Sequence, residues 1–176
     1  MKAIIVNSNS AKKQPEIYSE HNLLRMPAEW EPHEATWLGW PHNASDWPGK
    51  LSTIHWVYTE IVRKLTTGEQ IWILVNSKIH EDRAKRFLFR AGVNPKYIRF
   101  FQIPTNRSWT RDFGSIVVKN SFPQLHRAIA RFCFNAWARY SDWKKDNQVP
   151  VRLAKRLNYP ITVSYTHLTL PTILLV

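Results

Sequence analysis

Three side chains with distinct chemistry lie within residues 108–114, a stretch that we call the central motif. Trp109 offers an aromatic face, Arg111 a permanent positive charge and Asp112 a carboxylate. The two oxygens of a carboxylate match two parallel N–H groups of a guanidinium, so Asp112 is a candidate anchor for a planar cation. The same residues also fit a structural role, an ion pair between Arg111 and Asp112 capped by a core Trp109.

Apolar runs on both sides of the central motif indicate the strands that must position it. Residues 97–103 lead into the motif through Pro104, and residues 116–118 follow it. Proteins of the α/β class concentrate their chemistry where strands end and loops begin. We therefore expect the motif to join the end of one strand to the start of another.

The chain before residue 97 predicts alternating strands and helices. Apolar residues recur at spacings of three and four over residues 51–66, which predicts a helix that ends before Gly68. Residues 70–75 have the composition of a strand buried on both faces. A second helix is expected between a cap at Ser77 and an end at Gly92. Its apolar stripe comprises Ile79, Ala84, Phe87, Leu88 and Ala91.

Shorter segments complete the first half of the chain. Strands are expected at residues 3–6 and 35–41, and prolines predict an ordered loop over residues 26–34. Trp37 and Trp40 cannot face the same side of a regular strand, so one should enter the core and the other an edge or site. Residues 43–49 are rich in turn formers and predict a loop.

The chain after the motif predicts a hairpin, a loop and a helix. Residues 115–119 and 128–134 form the expected hairpin, and residues 135–143 form a loop rich in aromatic side chains. Residues 149–157 predict a basic amphipathic helix. Strands alternating with helices indicate the α/β fold class, with helices covering a sheet.

Composition restricts the class of protein. A chain of 176 residues with 44% hydrophobic content suits one domain or a large piece of a bigger one. We expect neither a membrane span nor a signal peptide, because the apolar runs are too short. The single cysteine, Cys133, excludes an internal disulfide and suggests a cytoplasmic protein. Its apolar surroundings predict a buried packing residue.

The net charge of +12 and nine tryptophans are compatible with a nucleic-acid-binding module. The basic residues are scattered over the polar faces of predicted helices, however, and solvated faces explain them equally well. No zinc-finger spacing or glycine-rich phosphate loop is present in the sequence. A non-catalytic scaffold is a third hypothesis.

Three blocks of sequence together resemble the agmatine deiminase and Porphyromonas-type peptidylarginine deiminase family. They are residues 26–37 with Trp40 and Pro41, the central motif, and residues 134–137 with Tyr140 and Trp143. The blocks occur in the order of the family, and the resemblance extends from about residue 25 to residue 157. It implies a pentein fold, an α/β-propeller of about five ββαβ-type blades, of which about two are present here.

The resemblance also implies an activity. The family hydrolyses a guanidino group to a ureido group and ammonia through a cysteine amidino-thioether, without a metal or an organic cofactor. The substrate would be agmatine, arginine or a peptidyl arginine, and agmatine would place the enzyme in putrescine biosynthesis. Asp112 corresponds to the guanidinium-binding carboxylate, with Trp109 and Arg111 beside it and Arg111 orienting it. Trp30 and Trp37 would wall the substrate channel, although the core is the stronger expectation for Trp37.

Several family features are missing from this sequence. The nucleophilic cysteine and the catalytic histidine of the family belong to later motifs, and Cys133 lies in the wrong block. The histidines at positions 33, 42, 55, 80 and 126 receive no catalytic role. Residues 163–172 resemble the translation of a sequencing adapter, so residues 163–176 are interpreted as a non-native tail and residues 1–162 as the native N-terminal part of a propeller domain. The alternative is a genuine apolar C-terminal strand broken at Pro171. We expect this chain to be catalytically inactive.

Overall fold

The computed structural model describes residues 24–120 and 126–163. The strand expected at residues 3–6 and nearly all of the proposed tail lie outside these residues. In chain order the helices and strands are β1 (Ala35–Gly39), α1 (Leu51–Leu65), β2 (Gln70–Val75), α2 (Lys78–Arg90), β3 (Ile98–Gln102), α3 (Thr110–Phe113), β4 (Ile116–Asn120), β5 (His126–Arg131), α4 (Val149–Leu157) and β6 (Ile161–Val163).

The first half of the described chain forms a parallel three-stranded sheet in the order β1-β2-β3. Strand β2 is central, and residues 71–75 are buried, which confirms the strand buried on both faces. Its side chains alternate between two cores. Ile71, Ile73 and Val75 pack with residues of α1 and α2, whereas Trp72 and Leu74 pack towards the second half of the chain.

The two long helices begin and end close to the predicted residues. The hydroxyl of Ser77 accepts a hydrogen bond from the backbone N–H of His80 at 3.4 Å, and Gly92 follows α2 with a left-handed φ of 75°. The predicted apolar stripes are only partly buried, however, since Val57, Ile61 and Ile79 are exposed. Successive residues of a helix lie about 100° apart, so Ile61 falls on the flank of the face that Val62 buries.

The second half forms another three-stranded sheet, in the order β4-β5-β6. Strands β4 and β5 are antiparallel, which confirms the predicted hairpin, and β6 runs parallel to β5. Helix α4 covers this sheet, with Leu153 and Ile129 in one buried cluster. The same cluster includes Trp72 and Phe101 of the first sheet, so the two sheets share a core.

Two further observations concern predictions made from composition. Cys133 is exposed, so the prediction of a buried packing residue is wrong. Strand β5 ends at Arg131, two residues earlier, and Cys133 lies in the segment that leaves the sheet. In the described part of the chain, no helix is both long and apolar enough to cross a membrane.

Candidate functional site

The central motif crosses the carboxyl ends of the parallel strands, where α/β proteins commonly bind ligands. It follows β3 and leads into β4 through α3, a single helical turn closed by a 2.7 Å hydrogen bond from the N–H of Gly114 to the carbonyl of Thr110. The predicted position between two strands is confirmed, whereas the helical turn was not predicted. Gly39, at the end of β1, allows the motif to approach, since a β-carbon there would lie 3.1 Å from the Cα of Ser108.

Asp112 is exposed and lies beside Trp137 of the 135–143 loop. Neighbouring protein atoms remove part of its hydration and raise the pKa of its carboxyl group. The indole N–H of Trp137 and the charge of Arg111 partly oppose this rise. Asp112 forms no salt bridge with a described residue. The carboxylate is therefore accessible, partly desolvated and available to a cation.

Trp109 stacks on Trp47, which belongs to the 43–49 loop. The ring centroids are 5.6 Å apart, the planes make an angle of 30°, and Trp109 remains 43% exposed. Aromatic faces of this kind can bind a cation or cover an alkyl chain. Trp47 was not among the predicted site residues, because nothing in the local sequence indicates that two separate loops meet.

Contrary to the expectation from sequence, Arg111 forms no ion pair with Asp112. Its guanidinium contacts Glu29 Oε1 at 2.6 Å, and both side chains are largely exposed. The expectation that Arg111 orients Asp112 is therefore not met by a direct contact. The structural alternative is also wrong, because it required this ion pair and a core Trp109, whereas Trp109 is partly exposed.

Trp30 and Trp37, the expected channel walls, lie in different environments. Trp30 is 89% exposed, whereas Trp37 packs edge-on against Trp72 at 4.8 Å and close to Phe101 at 5.0 Å. The core position expected for Trp37 is confirmed, since it is partly buried against one core cluster. Trp40, just past the end of β1, is buried in the other cluster, so the expectation that one of the two tryptophans would line an edge or site instead of a core is wrong.

Trp37 also lines a cavity of about 460 Å³ between the two sheets. Arg111 lines the same cavity, whereas Asp112, Trp109 and Trp30 do not. The five predicted residues are therefore not assembled in one cavity. Asp112 and Trp109 belong to the surface formed by the aromatic loops, and this surface is the candidate site.

Sequence reasoning missed a charged cluster centred on the buried Arg107, which contacts the loops that form this surface. Arg107 is buried with Asp46, Asp142 and Asp146 around it. The chain has 25 basic but only 13 acidic residues, so three aspartates around one arginine represent a notable concentration of acid. Two signals could have identified this cluster: the scarcity of acidic residues in the chain, and the position of Arg107 just before the central motif. Within the described ranges, no group of three or more His, Cys, Asp or Glu side chains could hold a metal ion.

Comparisons with known proteins give a consistent result. The model of the Porphyromonas-type peptidyl-arginine deiminase family matches residues 25–169. The agmatine deiminase of Medicago truncatula is 29% identical over 141 residues, which cover 74% of this chain and 36% of that protein. The chain spans 36–39% of the length of the curated relatives it matches.

Two solved structures share the fold. The agmatine deiminase of Enterococcus faecalis superposes with a TM-score of 0.69 at 23% identity, over 81% of this chain and 38% of that one. A C. jejuni agmatine deiminase variant with substrate bound superposes with a TM-score of 0.67 at 25% identity, over 81% and 40%. The fold of the superposed part is thus common to all three chains.

Proposed function

The chain belongs to the Porphyromonas-type peptidyl-arginine deiminase family, and from that premise we propose that it binds the guanidino group of a small cationic substrate at Asp112. The observation that supports this most is that the Asp112 carboxylate is accessible and forms no salt bridge with any described residue. It lies beside Trp137 and three residues after Trp109 in the central motif. A planar guanidinium would supply the N–H donors that this carboxylate lacks, and Trp109 would offer it an aromatic face.

The proposed reaction is the hydrolysis of the guanidino group to a ureido group with release of ammonia. A cysteine thiolate would attack the guanidino carbon, ammonia would leave, and water would hydrolyse the amidino-thioether. We propose agmatine, arginine or peptidyl arginine as the substrate class, with a cytoplasmic site of action and a place in putrescine biosynthesis if the substrate is agmatine. The two three-stranded sheets would be two blades of a pentein propeller.

A calorimetric titration of the chain with agmatine tests the binding site. Replacing Asp112 by Asn removes the charge but keeps the shape, so we expect affinity to fall at least about tenfold. Asp82→Asn is the control, because Asp82 is an exposed helix residue paired with Lys78. Equal affinities of the native chain and the Asp112→Asn variant would contradict the proposal.

A separate assay tests whether the chain can also carry out the reaction. We propose that this chain binds the guanidino group but does not supply the nucleophile, since Cys133 follows β5 in a block that the family does not use for catalysis. Incubation with agmatine, arginine and a peptidyl arginine should therefore give no ureido product. Turnover at an ordinary enzymatic rate would show that the chain holds a complete catalytic site.

A second candidate function is supported by one surface on the outer helices. Arg83, Arg86 and Arg90 recur at spacings of three and four along α2 and, together with Trp56 and Phe87, line a cavity of about 280 Å³. Trp56 is 56% exposed and meets Phe87 edge-on at 5.7 Å. Arginines beside an exposed aromatic ring are typical of surfaces that bind single-stranded nucleic acid.

Filter binding with a single-stranded oligonucleotide across a salt series tests this alternative. Replacing Arg86 and Arg90 by Gln should weaken binding and flatten the dependence of log affinity on log salt by about two phosphate contacts. Arg63→Gln is the matched control, because Arg63 is exposed on α1 and already paired with Glu60. Absence of oligonucleotide binding at low salt would contradict this second candidate function.

A further inference from the structure

Arg107 is a buried arginine whose side-chain contacts reach two other loops. Its side chain is 5% exposed. One guanidinium nitrogen contacts Asp46, another donates to Asp142 Oδ1 at 2.7 Å, and the group lies 3.9 Å from the ring centroid of Tyr140. A buried guanidinium is unfavourable unless it is paired, and here two carboxylates and an aromatic face compensate for its lost hydration.

The backbone around Arg107 is held by a second set of contacts. The fully buried Asp146 accepts hydrogen bonds at Oδ1 from the N–H of Asn106 at 2.6 Å and of Arg107 at 3.3 Å. The side-chain oxygen of Asn106 accepts in turn from the backbone N–H of Lys145 at 2.9 Å, and the backbone carbonyl of Asn106 accepts from the side-chain amide of Asn43 at 3.2 Å. Three loops that are distant in sequence are thereby joined around one side chain.

Each of these loops also holds an aromatic residue of the candidate site. Trp47 directly follows Asp46, Trp109 lies two residues after Arg107, and Trp137 lies three residues before Tyr140. Trp137 meets the ring of Tyr140 edge-on at 6.1 Å. The contacts of Arg107 therefore end beside the residues that form the Trp47–Trp109 stack and the indole next to Asp112.

We infer that Arg107 is the positioning residue of the guanidino-binding site, and that it fixes Trp47, Trp109 and Trp137 relative to Asp112 through Asp46, Asp142 and Tyr140. This inference rests on the proposed function for its consequence in binding. Without Arg107, the buried Asp46 and Asp146 would face Asp142 with no positive charge between them. Repulsion and hydration would then separate the loops and displace the aromatic residues.

The test compares Arg107→Gln and Arg107→Lys with Arg63→Gln. Indole N–H signals in a ¹H–¹⁵N spectrum, assigned by single Trp→Phe substitutions, report the surroundings of each tryptophan without any ligand. Arg107→Gln should shift the signals of Trp47, Trp109 and Trp137 and leave that of Trp72 in place. Arg107→Lys should give smaller shifts, because a lysine keeps the charge but cannot bridge two carboxylates as a planar fork does. Arg63→Gln should shift none of them.

Agmatine affinity gives the second readout. Arg107→Gln should lower it at least about fivefold, and Arg107→Lys should recover part of the loss. A folded Arg107→Gln variant with unmoved Trp109 and Trp137 signals would overturn the inference. If the native chain does not bind agmatine, the proposed function fails, whereas the indole shifts still decide whether Arg107 positions the loops.

Asp142→Asn keeps the test decisive if Arg107→Gln does not fold. The Asp142 side chain is 43% exposed, so its neutralisation should be tolerated while one contact of Arg107 is weakened. The Trp137 signal should then move, and that of Trp72 should not. An unchanged Trp137 signal in this variant would overturn the inference in the same way.

Discussion

The indole ring of Trp109 stacks on that of Trp47, with centroids 5.6 Å apart and an angle of 30° between the planes. The stack joins the central motif to the 43–49 loop and leaves one face of the candidate site aromatic. Because the stack holds two loops together, its contribution to the stability of the protein can be measured without knowing the ligand.

Trp47→Leu should destabilise the protein by about 1–2 kcal/mol, because it removes an aromatic pair together with part of its buried area. Trp30→Leu is the matched control, since Trp30 is 89% exposed and its replacement should change stability by less than about 0.5 kcal/mol. Urea unfolding at neutral pH measures both. Equal effects of the two substitutions would mean that the stack contributes nothing.

The 135–143 loop contains unusual backbone. Ala136, Trp137 and Ala138 all have left-handed φ values, of 51°, 57° and 56°. Residues with a β-carbon avoid this region at a cost of roughly 1–2 kcal/mol each. Such strain is often found where a loop must present a side chain in one position, and Trp137 is the side chain that reaches Asp112.

Ala138→Gly should therefore stabilise the protein by up to about 1 kcal/mol, since glycine adopts positive φ without strain. Ala44→Gly is the control, because Ala44 is also exposed in a loop but does not have positive φ, and it should lose roughly 0.5 kcal/mol. Thermal melts of both variants give the comparison. A lower melting temperature for Ala138→Gly would argue against strain at this position.

Much of the fold follows from local sequence. Helices α1, α2 and α4 and strand β2 were predicted within a few residues, because apolar periodicity and the Ser77 and Gly92 signals are local properties. The two apolar stripes were predicted too wide, since Val57, Ile61 and Ile79 are exposed although they share the periodic spacing of the buried residues. Helix α3 has only four residues and leaves no periodic signal.

The candidate site was only partly predictable for a different reason. Asp112 and Trp109 were identified from residue type and from their position between two strands. Trp47 meets Trp109, Trp137 meets Asp112, and Arg107 contacts Asp46 and Asp142, in each case across loops that are distant in sequence. No local pattern in the sequence encodes those contacts. Arg111 was assigned to the wrong partner, since sequence adjacency suggested Asp112 whereas the fold brings Glu29 to its guanidinium.

Close approach of β1 to the central motif gives a further prediction. A β-carbon on Gly39 would lie 3.1 Å from Ser108 Cα and 3.3 Å from Thr110 Cγ2. Gly39→Ala should therefore cost about 1–3 kcal/mol through crowding of the motif. Gly68→Ala is the control, because no atom lies within 4 Å of its β-carbon, and it should be neutral or slightly stabilising. A neutral Gly39→Ala variant would show that the motif can move away freely.

Asp146 makes stability depend on pH. Burial raises the pKa of its carboxyl group from 3.8 to about 6, against the opposing hydrogen bonds from Asn106 and Arg107. Between these two values the folded state binds a proton that the unfolded state releases, so this group's contribution to stability falls as pH rises from about 4 to 6. Above the folded pKa the contribution is constant.

Asp146→Asn should remove this slope while keeping an oxygen for the two backbone donors. The difference in unfolding free energy between the native chain and the variant should change across pH 4–6 and stay flat from pH 7 upwards, as measured by urea midpoints. Asp82→Asn is the exposed control, and because it keeps Asp146 its stability should fall across pH 4–6 as that of the native chain does. Parallel curves for the native chain and Asp146→Asn would contradict the assignment.

A guanidinium held at Asp112 between Trp109 and Trp137 is the central claim, and the most direct measurement is the indole N–H spectrum during a titration with agmatine. We predict saturable shifts of the Trp137 and Trp109 signals, much smaller shifts with putrescine, which lacks the guanidino group, and none with either ligand in Asp112→Asn. Signals that do not move, or that move equally in Asp112→Asn, would contradict the claim.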